Sequence, residues 1–289
     1  AADLTAVEET SEFIIRKTEN KLLPMFTSCC PAWVKYAEQY YPDILLNLSS
    51  CKSPQQMFGA VLKKKLCEQL DIKRENLVVV SIMPCTAKKF EASRPEFFQN
   101  GNPDVDHVLT TQELGKMIKE AGICFNDIEP SSMDIPFGLA TGAGVIFGSS
   151  GGVSEAVMRC AFEKLTNTTL EEVAFVNLRE NDGVRIAQIP VGDLKLKAAV
   201  VHGLSNAKKV IKQIKSMELD VDIIEVMACP GGCVGGAGQP IAKEHDTVRK
   251  RTYGIYQADK KMALRKPQDN PFVNNLYMET FNLESGAET

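Results

Sequence analysis

Five cysteines in three separated segments carry the most chemical information in this chain: Thr27-Ser28-Cys29-Cys30-Pro31, Met83-Pro84-Cys85 and Met227-Ala228-Cys229-Pro230-Gly231-Gly232-Cys233. Iron–sulfur clusters are held by four thiolates that need not be close in sequence, so Cys30, Cys85, Cys229 and Cys233 could converge on one cluster. Gly231, Gly232, Gly235, Gly236 and Gly238 crowd the third segment. Glycine lets a backbone approach a bulky group closely and adopt dihedrals barred to other residues. A structural zinc site, or simple buried thiols, would be the plainer readings, and neither calls for so much glycine.

The elements around these segments follow from local pattern. Thr5-Ala6-Val7-Glu8 has the form of a capping box, and it predicts a helix running to Lys17. Glu9, Glu12 and Arg16 then fall on one face of that helix. Met25-Phe26 ends a short strand, and Pro31 suits the first turn of a following helix. Cys29 and Cys30 are thereby placed at a strand-to-helix junction. Residues 76–83 (NLVVVSIM) read as a buried strand delivering Cys85, and residues 221–227 (VDIIEVM) as another delivering Cys229. Ligands just past strand ends are where open α/β sheets bind cofactors.

Further strands are predicted at 105–109 and 197–201. Helices are predicted after Thr110-Thr111-Gln112-Glu113, near 154–165 and at 205–217. The alternation predicts an α/β fold, two-lobed, with largely parallel sheets flanked by helices and the cofactor in the cleft between the lobes. After Pro240 the chain turns polar and helical, interrupted at Arg265-Lys266-Pro267.

With 289 residues, 44% of them hydrophobic and 24% charged, the chain has ample material for a core. A net charge of −4 gives no reason to expect nucleic acid, and no apolar run is long enough for membrane insertion. Nine cysteines without regular spacing suggest reduced or metal-bound thiols rather than a disulfide scaffold. That composition favours a reducing, anaerobic cytoplasm.

Taken together, the three segments resemble the signatures of the [FeFe]-hydrogenase catalytic domain, TSCCPxW, MPCxxKxxE and ExMACxxGCxxGGGQP. Here they occupy residues 27–33, 83–91 and 225–240, with Ala237 replacing one glycine. The resemblance continues through Ser49-Ser50-Cys51-Lys52-Ser53-Pro54-Gln55-Gln56 and residues 142–148, and covers about Asp3 to Tyr277. It implies a catalytic domain over 1–240 and a small-subunit-like helical tail over 241–289. It also implies a fragment entered partway into the family pattern and ending slightly early.

The implied activity is reversible interconversion of H2 with two protons and two electrons. The implied cofactor is an H-cluster: a [4Fe–4S] cubane on Cys30, Cys85, Cys229 and Cys233, linked through Cys233 to a diiron subsite bearing CO, CN and a bridging dithiolate. By the same resemblance Cys29 relays protons, continuing through Glu12, Ser49, Glu9 and Arg16. Taken alone, those charged residues would pass for a solvated helix face. Lys88 would hydrogen-bond a cyanide ligand, Met83, Met227 and Phe147 would wall the subsite, and Pro54 and Gln55 would lie near the diatomic ligands. Glu91 would pair with a lysine in a structural role, and Lys89 reads as a surface charge.

Implied partners are a ferredoxin or an accessory iron–sulfur domain, or an NAD-linked acceptor, and the maturation proteins that build the diiron site. A low-turnover H2 sensor and an iron–sulfur assembly protein of the hydrogenase-like group are the rival functions. Cys51, Cys67, Cys124 and Cys160 read as buried or incidental thiols, and His107, His202 and His245 receive no role. The glycine-rich stretch 138–152 lacks the ending of a phosphate-binding loop and is read as backbone packed against the diiron pocket.

Overall fold

The computed structural model describes residues 1–135, 137–171, 174–175, 178–179, 183–191, 194–241 and 244–281. Helix α1 (Ala2–Glu19) leads into β1 (Met25–Phe26) and α2 (Pro31–Tyr40). Helix α3 (Pro54–Val61) continues through a π-helical turn at Leu62–Leu66 into α4 (Cys67–Leu70). Then come β2 (Val80–Met83), α5 (Ala87–Ala92), β3 (Phe98–Gln99), β4 (Asn102–Pro103), β5 (His107–Thr110) and α6 (Thr111–Glu120). The second half holds α7 (Gly142–Ile146), α8 (Gly152–Thr166), β6 (Val184–Val191), β7 (Leu194–His202), α9 (Leu204–Lys215), β8 (Ile223–Met227), α10 (Thr247–Lys261) and α11 (Pro271–Phe281).

The main sheet has the order β1-β8-β7-β6; β1–β8 and β7–β8 are parallel, and β6–β7 is an antiparallel hairpin. Phe13, Val157 and Met158 from α1 and α8 pack with Met25, Leu196 and Ile223 in one core cluster. Trp33, Val210 and Ile211 from α2 and α9 pack with Phe26, Val201 and Ile224 in another. Strand β8, between β1 and β7, is buried along its whole length as expected of a central parallel strand, and is apolar except at Glu225. Strands β2 and β5 form a separate parallel pair. The α/β class with parallel sheets flanked by helices is therefore as expected, as is the capping box of α6, with Thr110 and Glu113 each bonding the other's backbone N–H.

Two local expectations fail. Thr5-Ala6-Val7-Glu8 does not start a helix: α1 begins at Ala2, and Thr5 is buried within it. Asp3 anchors this end instead, its carboxylate accepting from the Thr141 hydroxyl at 2.6 Å, the Thr141 N–H at 2.9 Å and Asn270 Nδ2 at 2.8 Å. The strand predicted at 76–83 is shorter and only half covered. Residues 74–76 form a 3₁₀ turn, and Val78, Val80 and Ile82 are 60%, 50% and 42% exposed. A β-branched run signals strand, but its burial depends on what covers each face.

The tail is joined to the main body by charge. Buried Arg159 on α8 makes a bidentate pair with Asp259 on α10 at 2.8 and 2.9 Å and bonds Glu155 at 2.7 Å. Arg265 also reaches Asp259 at 2.7 Å, and Arg179 reaches Glu155 at 2.6 Å. Arg159→Met is expected to destabilise the fold by roughly 3 kcal/mol, because a broken buried pair strands its partner charges. A denaturant melt unchanged from wild type would show that the network contributes nothing net.

Candidate active site

The sheet topology brings the cysteine segments together. Met25 pairs with Ile223 and Phe26 with Ile224, so β1 and β8 run side by side in the same direction. Cys30, the N-cap of α2, and Cys229, two residues past β8, follow from their ends. Cys85 follows β2 before α5, and Cys233 opens a 3₁₀ turn over Cys233–Gly235. All four thiols line one cavity of about 170 Å³, walled mostly by apolar atoms, together with Cys29, Met83, Lys88 and Met227.

The glycines take the dihedrals and close approaches expected of them: Gly231 and Gly232 have positive φ, and Gly232 and Gly236 line the cavity. A Cβ on Gly236 would lie 2.1 Å from the Pro84 carbonyl oxygen, and one on Gly238 2.6 Å from the Cys85 nitrogen. The Gly238 N–H donates to the Pro84 carbonyl at 3.0 Å. These glycines lock the third segment onto the second, fixing Cys229 and Cys233 relative to Cys85. Gly232, at φ +92°, does the same against Ser149-Ser150. The backbone of the 138–152 stretch packs on the third cysteine segment without lining the cavity itself: the Gly148 carbonyl accepts from the Val234 N–H at 2.9 Å and the Ser150 N–H donates to the Gly231 carbonyl at 3.1 Å, while Gly142 packs on Asp259 and Gly144 on Asp3.

The donor set fits a polynuclear iron–sulfur group. Among the described residues no three His, Cys, Asp or Glu converge closely enough to hold a single metal ion, which disfavours a zinc site. The thiols surround a space instead. Burial, followed by the nearness of Cys30, pushes the Cys233 thiol up to about 12, and burial raises Cys85 and Cys229 as well. Four thiolates gathered in an apolar cavity require positive charge among them, which a metal cluster provides.

Lys88 faces this cavity, but its ammonium already has partners: both Glu91 oxygens and the Cys29 carbonyl, each at 3.0 Å. Glu91 in turn accepts from Ser53 at 2.9 Å and from Gln55 at 3.1 Å. Gln55 also bonds the Lys88 carbonyl and accepts from Ser81. Gln55 and Pro54, the first residue of α3, stand behind Lys88 rather than on the cavity wall. Phe147 is likewise set back, packed with Met227, Cys29 and Cys233. Lys89 pairs with Glu113 at the surface.

A chain of polar side chains runs outward from Cys29. Glu9 is fully buried, one of its oxygens is without a hydrogen-bond partner among the described residues, and the Ser49 side chain lies near it. Burial first, then the nearby Glu12, raises its carboxyl to about 8. The Ser49 hydroxyl donates to Glu12 at 2.7 Å, and Arg16 donates to Glu12 at 2.6 Å. Burial, then Glu9, holds the Cys29 thiol well above its ordinary range. The order is thus Cys29, Glu9, Ser49, Glu12, Arg16, with the two glutamates exchanged relative to the sequence expectation. The N-terminal half of α1 lies by the cavity, where Ala2 and Ala6 pack beside Cys29, so the earlier glutamate is the inner one.

Sequence reasoning missed two residues. Cys51, taken as incidental, sets its thiol 3.6 Å from Glu12 Oε2. Glu225 accepts from the Gly151 and Ser154 N–H groups at 2.6 and 2.8 Å, tying β8 to the start of α8. Its place four residues before Cys229 in the third segment was the available signal; Cys51 offered only its neighbour Ser49.

Parallel strands that end in cysteines around one shared cavity define an α/β protein with a candidate cluster site. Residues 1–237 match the iron only hydrogenase large subunit, C-terminal domain, and residues 245–288 match the iron hydrogenase small subunit. The chain belongs to the iron-only hydrogenase family. It is 49% identical to the NADP-reducing hydrogenase subunit HndD of Solidesulfovibrio fructosivorans, over 96% of this chain and 48% of that protein. It is 33% identical to Protein NAR1 of Arabidopsis thaliana, over 96% of this chain and 64% of that one. A variant of apo [FeFe]-hydrogenase HydA1 from Chlamydomonas reinhardtii superposes with a TM-score of 0.85 at 38% identity, over 99% of this chain and 79% of that one. The chain spans about half the length of the curated hydrogenases it matches. Among the described residues no helix is long and apolar enough to cross a membrane.

Proposed function

We propose that residues 1–240 form the catalytic domain of an [FeFe]-hydrogenase that interconverts H2 with two protons and two electrons, with 241–289 as its helical tail. The observation that carries this is the buried Cys29–Glu9–Ser49–Glu12 chain leading away from the four-cysteine cavity. A protein that only carries clusters has no use for a proton route. Cys30, Cys85, Cys229 and Cys233 would hold the cubane, with Cys233 shared to the diiron subsite. When bound, that centre supplies the iron that polarises H2 and the site for its electrons.

The chain's own residues then manage protons and water. Met83 and Met227 present apolar wall that excludes water. Lys88, fixed by Glu91, presents its ammonium towards anionic ligands. At neutral pH Glu9 keeps its proton, so it can donate to Ser49 Oγ while the Ser49 hydroxyl donates to Glu12. That polarity orients the wire outward, and Arg16 stabilises the charge at its far end. Cys29, which also holds its proton, is the donor and acceptor nearest the cavity. The physiological electron partner is expected to be a ferredoxin or an accessory iron–sulfur domain, in a cytoplasmic setting.

The likeness to Protein NAR1 supports the second reading, an assembly protein with clusters and no diiron subsite. After maturation, infrared bands of bound CO and CN together with H2 turnover are expected. Cubane without those bands would favour the assembly role, and bands with scant turnover would favour a sensor. Cys85→Ser is expected to lower iron content sharply; full iron loading in that variant would remove Cys85 from the ligand set.

A further inference from the structure

We propose that Cys51 is the outer link of the proton route, passing protons between Glu12 and a solvent-open cavity shared with Glu8, while Arg16 holds Glu12 in place without carrying a proton. The inference rests on the hydrogenase reading above and concerns how its route meets solvent.

The case begins with Arg16. Its guanidinium donates to Glu12 Oε1 at 2.6 Å and to the carbonyls of Leu48 at 2.9 Å, Asn47 at 3.2 Å, and Leu46 and Leu22 at 3.3 Å. A guanidinium is a donor that proteins do not deprotonate, and this one has its N–H groups taken up by five acceptors. It is a clamp, and protons reaching Glu12 leave through another group or through the small part of Glu12 that touches solvent.

Glu12 has few other partners. The Ser50 N–H donates to both oxygens at 3.0 Å, Ser49 Oγ donates to Oε2 at 2.7 Å, and Cys51 Sγ lies 3.6 Å from that same oxygen. Of these, only Ser49 and Cys51 have a side-chain proton to exchange. Ser49 faces inward to Glu9. Cys51 faces outward: it lines a cavity of about 460 Å³ whose wall is mostly apolar, Leu4, Met57 and Val61 among it, with Glu8 and Lys65 also on the wall. Its thiol is positioned by the backbone, since its N–H donates to Ser49 Oγ at 3.2 Å and its carbonyl accepts from Ser28 at 2.8 Å.

The transfer balances without electrons. Protonated Glu12 gives its proton to the Cys51 sulfur as the original S–H proton passes to cavity water, so one O–H and one S–H bond break while one S–H and one water O–H bond form. Glu8, half-buried one turn before Glu12, receives the proton next. Burial raises its carboxyl, Lys164 opposes that, and Glu12 adds to it. A thiol that burial keeps protonated suits a link that is never a standing charge.

The test compares wild type, Cys51→Ala, Cys51→Ser and Glu8→Gln as cluster-loaded proteins. Cys51→Ala should keep its iron and lose about 10-fold in turnover, less than the roughly 10²–10⁴-fold of a positioned acid–base group because Glu12 retains some solvent contact. It should also show a larger solvent deuterium isotope effect, and Cys51→Ser should regain most of the rate. Glu8→Gln should flatten the pH profile of turnover without loss of iron. Independently of turnover, the infrared S–H band of Cys51 in the apoprotein should shift in Glu12→Gln. Wild-type rate and isotope effect in Cys51→Ala, or a thiol band indifferent to Glu12→Gln, would overturn the inference alone. A loaded wild type without hydrogen turnover would overturn it together with the hydrogenase reading.

Discussion

Cys29→Ala is expected to keep its iron and lose turnover by roughly 10²–10⁴-fold, the range of a positioned proton-transfer group. The two outcomes separate because the side chain and backbone of Cys29 have different jobs. The backbone is held by Lys88, whose ammonium bonds the Cys29 carbonyl at 3.0 Å, and by the start of α2 at Cys30. Alanine keeps that backbone, and the methyl group still packs against Met227 and Phe147. What it removes is the buried, proton-holding thiol between the cavity and Glu9. Iron analysis paired with hydrogen evolution from the same sample checks both halves. Undiminished turnover would remove the relay, and lost iron would make Cys29 structural.

Glu9→Gln is the second large effect, and it moves activity and stability in opposite directions. Turnover should drop on the order of 10²–10³-fold, because an amide cannot complete the hand-over to Ser49. Stability should rise at alkaline pH. Burial and Glu12 hold the Glu9 carboxyl at about 8 in the folded protein, above its ordinary value of 4.5. Between those values the unfolded chain has shed a proton that the native state retains, so stability declines as pH climbs through that window. Below it both states are protonated and nothing is lost. Glutamine never ionises, so the variant should melt higher than wild type at pH 8 and converge with it near pH 4. A decline remains from Glu225, raised to about 7 by its burial. Equal melting temperatures at pH 8 would show that Glu9 is not held neutral in a desolvated site.

Sequence by itself determined which residues are candidates for the chemistry and the local elements that carry them. Cysteines past strand ends, Pro31 opening a helix and the capping box at Thr110 are set by neighbours a few residues away, and all stand as expected. So is the sharing of one helix face by Glu9, Glu12 and Arg16, since helical period fixes it. What lies across that face is not local. Only the docking of α1 beside the cavity made Glu9 the buried inner carboxylate and Glu12 the outer one against the 48–51 segment. The same holds for Cys51, whose sequence neighbours gave no sign that its thiol meets a carboxylate 39 positions away. It holds too for the glycines, which face Pro84 and Cys85 across the site. Burial, and with it every shifted proton affinity here, depends on which surfaces the fold brings into contact, and those contacts are long-range.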